Sequence, residues 1–336
     1  MQRWFHPLGR IVSEVTLGHF ATMKLRFSVL MPAYNREKYV GQAIDSVLSQ
    51  AFKDYELFVI DDGSTDKTLQ VLQSYGTRIN VLRQANQGPE VARNKAAALA
   101  RGEYLVLLDS DDLLLPCALA TYDRVIRAFD SPPLIIGGMT DFQDGQSIPA
   151  GSQESLPIKV LKYHDYLSKD VTLRLSSSRI VLRKSVFDEV GGLRSTTAAT
   201  FHLDSLNLIL KVATYGPCVV VQQPCTVAYR HHETNAIRSL EPIADGILVL
   251  ARSEHQGQYP GGSKRRRDRY ACIGAVALSW AVSHCLRGRR WKLALRLLRG
   301  TAPMGLAAVW KKVLSRLRKP TQAIVLSEHG SFMASK

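Results

Sequence analysis

The first two thirds of the chain alternate between short runs of consecutive apolar residues and longer stretches with apolar residues three or four positions apart. The first pattern predicts strands buried on both faces, and the second predicts amphipathic helices. Phe27 to Ala33 is expected as a strand, and residues 37 to 50 as a helix through Val40, Ile44, Val47 and Leu48. Strand Tyr55 to Ile60, helix Asp66 to Tyr75, strand Ile79 to Arg83, helix Pro89 to Ala100 and strand Glu103 to Leu108 follow. Repeated βαβ units of this kind predict an α/β fold with a Rossmann-like, doubly wound, mostly parallel sheet. No GxGxxG follows the first strand, so the dinucleotide fingerprint is missing.

The periodicity changes past residue 240. Between Arg289 and Arg299, Trp291, Leu295 and Leu298 share one helical face, while Arg289, Lys292, Arg296 and Arg299 share another. The apolar spacing recurs with Trp310, Val313, Leu314 and Leu317. Basic amphipathic helices of this type lie in the interface of anionic membranes or pack their apolar stripe on a neighbouring domain. Ala271 to Leu286 is the one run apolar enough to suggest a membrane span. Its sixteen residues, at ~1.5 Å each, fall short of a ~30 Å hydrocarbon core, and His284 interrupts them, so a packed or interfacial helix is expected.

Composition sharpens this picture in two places. The 336 residues carry a formal net charge of +15. Between Lys264 and Pro320 stand 16 Lys or Arg residues and a single acid, Asp268, so the whole excess lies there and the rest is neutral overall. A nucleic-acid enzyme concentrates basic residues around its working groove; here they sit in a tail, which predicts surface docking and no nucleic-acid partner. Cys117, Cys218, Cys225, Cys272 and Cys285 are odd in number and lack CxxC spacing, so neither a disulfide framework nor a zinc site is expected, and a cytoplasmic setting fits. Residues 1–24 lack a continuous apolar core of a signal peptide, so no export is expected, and the position of Met23 directly before the first strand raises the hypothesis that translation starts there instead of at Met1.

Candidate chemistry collects at strand ends. Asp109, Asp111 and Asp112 directly follow one predicted strand, Asp61-Asp62-Gly63-Ser64 another, and Pro32-Ala33-Tyr34-Asn35 closes the first. In open α/β sheets ligands bind beyond the carboxyl ends of the strands. Crowded carboxylates there repel one another unless a cation bridges them, and Mg²⁺ or Mn²⁺ favours oxygen ligands and substrate phosphates. Tyr34 is suited to stacking on a base and Asp62 to accepting from a base or ribose. Asp109 and Asp111 are suited to ribose and metal, and Asp112 to capping the next helix.

The segments SVLMPAYN (Ser28 to Asn35), FVIDDGSTD (Phe58 to Asp66), NQGPEVARN (Asn86 to Asn94) and GEYLVLLDSDD (Gly102 to Asp112) resemble inverting family 2 glycosyltransferases of the GT-A fold. The resemblance is strong from about Phe27 to Pro116 and weaker to about Asn235. It implies a nucleotide-binding half over 25–116, an acceptor half over 117–240 and a helical, basic, membrane-associating region over 241–336, after an extension at 1–24. It also implies that Pro32, Tyr34, Asp62, Arg93 and Asp109 bind a nucleotide-sugar donor. Asp111 would hold a Mg²⁺ or Mn²⁺ ion, and so would His232, the histidine of the YRxHxxN-like segment Tyr229 to Asn235. Leu175 to Ser178 and Gly191-Gly192 resemble segments around the acceptor cleft.

The general base is where the chain departs from that family. Counting back from Gly216-Pro217 places the family's Glu-Asp pair on Asp204-Ser205, so the expected catalytic Asp is a serine. Serine is a poor base near neutral pH, which favours Asp204, with His202 a weaker candidate. An Asp there serves equally as a helix cap. The function expected is metal-dependent, inverting transfer of a sugar, most usually from a UDP-sugar, to a glycan or lipid-linked acceptor in cell-surface polysaccharide synthesis, at the inner face of the plasma membrane. Two rivals are a membrane-docked nucleotide-sugar-binding module with weakened catalysis, favoured by Ser205, and a nucleic-acid-binding protein, which would show duplex affinity with a steep salt slope.

Overall fold

The computed structural model describes residues 25–147, 157–171, 173–193, 203–233, 240–317, 319–327 and 332–334, with the side chains of residue 204 and of 332–334 excepted. The chain runs β1 (Leu25–Ala33), α1 (Val40–Leu48), β2 (Tyr55–Asp61), α2 (Thr68–Ser74), β3 (Asn80–Arg83), α3 (Pro89–Leu99) and β4 (Gly102–Leu107). These match the elements expected from the apolar pattern, with ends shifted by a few residues. Next come β5 (Leu113–Leu114), α4 (Ala118–Ala128), β6 (Leu134–Ile136), β7 (Met139–Gln143), β8 (Ile158–Tyr163), β9 (Ile180–Arg183), α5 (Lys184–Glu189), α6 (Asp204–Val212), β10 (Cys218–Gln223) and β11 (Val227–His231). The chain ends with α7 (Leu240–His255), α8 (Arg266–Trp280), α9 (Trp291–Gly300), α10 (Ala302–Leu317), β12 (Ile324–Leu326) and β13 (Phe332–Ala334).

Among the described residues the main sheet runs β13-β12-β8-β10-β6-β9-β4-β1-β2-β3. Strand β1 lies parallel to both β2 and β4, with Ala33 opposite Asp61 and Leu30 opposite Leu107. That register brings three strand ends to one edge. The strands are buried on both faces because helices cover both, α1 and α4 on one side and α3 with α6 on the other. A smaller sheet, β5-β11-β7, stands at the same edge. In it β11 runs antiparallel to β5 and parallel to β7, which carries residues 230 to 232 back over the Asp109–Asp112 loop.

A third core joins the C-terminal helices to the sheet domain: Leu206 and Leu210 of α6 pack with Ile243, Ile247 and Leu250 of α7, Ile273 and Ala277 of α8, Leu297 of α9 and Met304 of α10. Arg269 and Glu254, both buried, tie α8 to α7 through a two-pronged ion pair at 2.6 and 3.0 Å. Ala271 to Leu286 is thus a packed segment, α8 continuing into a π-helical turn over Ala281–Leu286. The region beyond 240 is not helical throughout, because β12 adds an antiparallel strand beside β8. Gly274 lets α8 and α10 touch: a Cβ there would meet the carbonyl of Met304. Gly274→Val is therefore expected to destabilise the protein by about 1–3 kcal/mol through overpacking, checked by urea denaturation.

Candidate active site

The site is built on the strand ends that the register aligns. Asp62 amide donates to the Ala33 carbonyl and Leu108 amide to the Leu30 carbonyl, so the loops after β2 and β4 flank the end of β1. Asp61 closes the first loop by accepting from the Ser64 amide. Gly63, at φ +79°, stays a glycine because a Cβ there would lie 2.8 Å from the Asn86 nitrogen. Asn35 also takes a positive φ, +51°, and its side chain accepts from the Thr65 amide at 2.8 Å, binding the loops after β1 and β2 together.

Asp62 is nearly sealed, 2% exposed, and accepts from Gln84 Nε2 (2.7 Å), the Gln87 amide (2.9 Å) and the Gly88 amide (2.8 Å). A carboxylate has about four acceptor positions, so this one spends most of its capacity fixing the loop that starts α3. The helix in turn aims Arg93, 1% exposed, at Asp109 Oδ1. Tyr34, 43% exposed, stands just past the end of β1. Pro32 differs from the expectation: it is buried within β1 opposite Ile60, because both faces of that strand are covered, and it forms wall instead of contact surface.

The carboxylates after β4 have three separate environments. Asp109 is the open one, paired with Arg93, its backbone amide donating to Ser178 Oγ at 3.1 Å. Asp111 Oδ2 takes His232 Nε2 at 3.0 Å and Arg36 Nε at 3.2 Å. Burial pushes the Asp111 carboxyl up, but the hydrogen bond from His232 and the charge of Arg36 outweigh it and hold the group below the usual carboxylate range. Asp112 does not cap a helix. It is buried, followed by β5, and accepts from Ser178 Oγ (2.6 Å) and the Arg230 amide (3.0 Å). Burial, then the charges of Asp111 and Asp109, push its carboxyl well above the ordinary value.

These contacts correct one premise of the sequence argument. Repulsion among the carboxylates is relieved by Arg93, Arg36 and His232 and by the raised pKa of Asp112, so it does not by itself demand a metal. The cation question rests instead on donor chemistry. Asp111 and His232 offer an oxygen and a nitrogen side by side, and no group of three or more metal-ligating side chains occurs among the described residues. Two protein ligands fit an ion of the Mg²⁺ or Mn²⁺ kind, which keeps several positions for substrate phosphates.

Arg230, Arg36 and Tyr39 line the site although the sequence assigned them no role, and Ser178, noted there only within an acceptor-side segment, bonds to the carboxylate loop. Arg230 is buried between the rings of Tyr39 and Phe142, donates to the Asp111 carbonyl at 2.8 Å and to Gln42 Oε1 at 2.6 Å, and pairs with Asp144. Tyr39 lies 4.7 Å from the His232 ring, fixing its plane. Arg36 lies just past the first strand end and Arg230 within the Tyr229–Asn235 segment; both positions were signals, but neither names its partner.

On the acceptor side, α6 begins at Asp204 with Leu203 in the capping position, so Asp204 is the first helical residue and not the cap. Its side chain and all of His202 lie outside the described residues. Ser205 Oγ is 2.7 Å from Ser177 Oγ, which brings the Leu175–Ser178 segment to the start of α6.

The expected mostly parallel sheet is in fact mixed, parallel through β4-β1-β2-β3 but antiparallel where β9 and β8 enter, and this helix-flanked sheet with acids at its carboxyl edge defines a GT-A-type fold. Residues 28–191 match the family described as glycosyl transferase family 2. It is 27% identical over 191 residues to the glycosyltransferase GlyG of Streptococcus pneumoniae, covering 52% of this chain and 63% of that one. It is 43% identical over 230 residues to the chondroitin synthase of Escherichia coli, covering 64% of this chain and 30% of that one. The chain thus spans less than two thirds of either relative's length. The solved structure of S. aureus TarS 1–349 in complex with UDP-GlcNAc superposes with a TM-score of 0.60 at 17% identity, over 93% of this chain and 97% of that one, a likeness of fold.

Proposed function

We propose that the protein transfers a sugar with inversion from a nucleoside-diphosphate sugar, a UDP-sugar before others, to a glycan or lipid-linked acceptor in cell-surface polysaccharide synthesis. The observation that carries this is the convergence of the Asp62-held loop, the Arg93–Asp109 pair and the Asp111–His232 pair on one strand edge. The UDP-GlcNAc bound in the TarS structure supports the donor class, and the likeness to a chondroitin synthase supports a glycan acceptor.

In this reading Tyr34 stacks on the base and Asp62 uses its remaining acceptor capacity toward it. Asp109, steadied by Arg93, faces the ribose. Asp111 and His232 are the residues that would hold a Mg²⁺ or Mn²⁺ ion, which would supply positive charge against the leaving diphosphate. The acceptor oxygen bonds to the anomeric carbon as the bond from that carbon to the diphosphate oxygen breaks. The hydroxyl proton passes to the Asp204 carboxylate, and the nucleoside diphosphate leaves with the bonding electrons. The protein works peripherally at the inner face of the plasma membrane. Among the described residues no helix is long and apolar enough to cross a membrane.

A thermal-shift panel of UDP-, GDP- and dTDP-sugars, each with and without Mn²⁺, tests the donor assignment. A matching donor at a hundredfold its Kd stabilises the native state by about 2.7 kcal/mol. UDP-sugars are expected to raise the melting temperature most, and more with Mn²⁺; no shift with any donor would refute the reading. Ser205 at the family's base position favours one second reading, a donor-binding module without turnover, identified by a normal UDP-sugar shift with neither hydrolysis nor transfer.

A further inference from the structure

The C-terminal helices attach to the protein by an apolar set different from the stripe visible in the sequence. Leu293, Ala294 and Leu297 of α9 and Met304 of α10 face inward. Left outside are Leu306 (74% exposed), Val309, Trp310 (64%), Val313 and Leu317 (79%), all on the side of α10 opposite Met304. Trp291 and Leu295 of α9 are exposed likewise. Scattered exposed apolar residues are ordinary, whereas five large ones aligned along one helix mark an interaction surface.

Charge identifies the occupant. Lys312 and Arg316 border the α10 stripe, and Lys292 and Arg299 border that of α9; all four are exposed and enter no ion pair among the described residues. The surrounding tail carries the protein's entire net charge. A stripe of Trp and Leu edged by unpaired cations matches the boundary between acyl chains and anionic headgroups, where apolar burial and surface potential act together. A second copy of this chain would bring the same cations against one another.

We propose that the outward face of α10, Leu306, Val309, Trp310, Val313 and Leu317, with the exposed Trp291 and Leu295 of α9, docks the protein on an anionic lipid bilayer. The helices share a core with α6, whose first turn holds Asp204 and Ser205, so docking orients the acceptor side of the site relative to the lipid surface. The inference rests on the peripheral localisation above and assigns it to one surface, independently of the chemistry at the carboxylates.

The test is co-sedimentation of the full-length protein with phosphatidylglycerol/phosphatidylcholine vesicles and with phosphatidylcholine vesicles alone. The wild type is expected to pellet with the anionic vesicles and to be released by salt. The triple variant Leu306→Gln, Val313→Gln, Leu317→Gln is expected to lose at least tenfold in affinity, about 1.4 kcal/mol. Lys312→Glu with Arg316→Glu should lose the anionic preference. The UDP-sugar thermal shift should stay unchanged in both variants, which shows that they fold and separates this test from that of the donor site. Equal vesicle binding by the triple variant would assign docking to another surface. Absence of binding by the wild type would remove the peripheral reading as well. A dimer in sedimentation velocity that the triple variant dissolves, without vesicle binding, would make the face an interface between copies and overturn the proposal.

Discussion

Asp111→Asn is expected to lower sugar transfer on the order of 10³-fold while leaving the fold intact. Asn keeps the shape and one acceptor oxygen, so the tie to His232 or Arg36 persists in part, but the negative charge goes. The charge matters because Arg36 and the His232 hydrogen bond hold this carboxyl below the usual range despite burial, as the proposed cation-holding role requires. Removing one preorganised electrostatic group from an enclosed site costs about 10²–10³ in rate, and losing the ion as well places the expectation at the upper end. The measurement is the initial transfer rate at saturating donor over a Mn²⁺ titration, with the melting temperature as the fold control. A variant with wild-type rate and unchanged Mn²⁺ dependence would remove Asp111 from the chemistry.

Asp204→Asn should cost about 10²–10⁴-fold in turnover with donor affinity retained, the range expected for loss of a general base. Ser205→Ala, by contrast, should stay within a few fold of wild type. The Ser205 hydroxyl is bonded to Ser177, and a hydroxyl remains protonated near neutral pH. The two substitutions, assayed for transfer and for UDP-sugar affinity, discriminate between neighbouring residues. Full activity in Asp204→Asn with loss in Ser205→Ala would reverse the assignment. Loss of neither activity would move the base elsewhere.

What the sequence showed of the site was its acids, and what it hid was their partners. Asp109, Asp111 and Asp62 stand directly after apolar runs, and a strand end is a local property that a linear pattern reports. Arg93 lies 16 positions from Asp109 and His232 lies 121 from Asp111. Which cation meets which acid follows from strand order and register, and a periodicity in one segment contains neither. Asp112 shows the consequence. Beside two acids and before an apolar run it resembles a cap, yet β11 pairs with β5 and buries it under the Arg230 amide. For the same reason, carboxylate charges that stand unopposed along the chain are opposed in space by Arg36 and Arg93.

The sequence by itself determined the βαβ alternation, the edge at which polar groups gather and the concentration of positive charge in the tail, because each depends on spacing within one segment. Only the tertiary structure decided which apolar residues of α9 and α10 face inward. Both helices carry more apolar surface than one face can bury, so periodicity marks them amphipathic without saying which arc is covered. Contact with α7 and α8 chose Leu293, Leu297 and Met304, and left Trp291, Leu306, Trp310 and Leu317 to the outside. That choice turns on packing between elements distant in sequence, which is the information a linear pattern lacks.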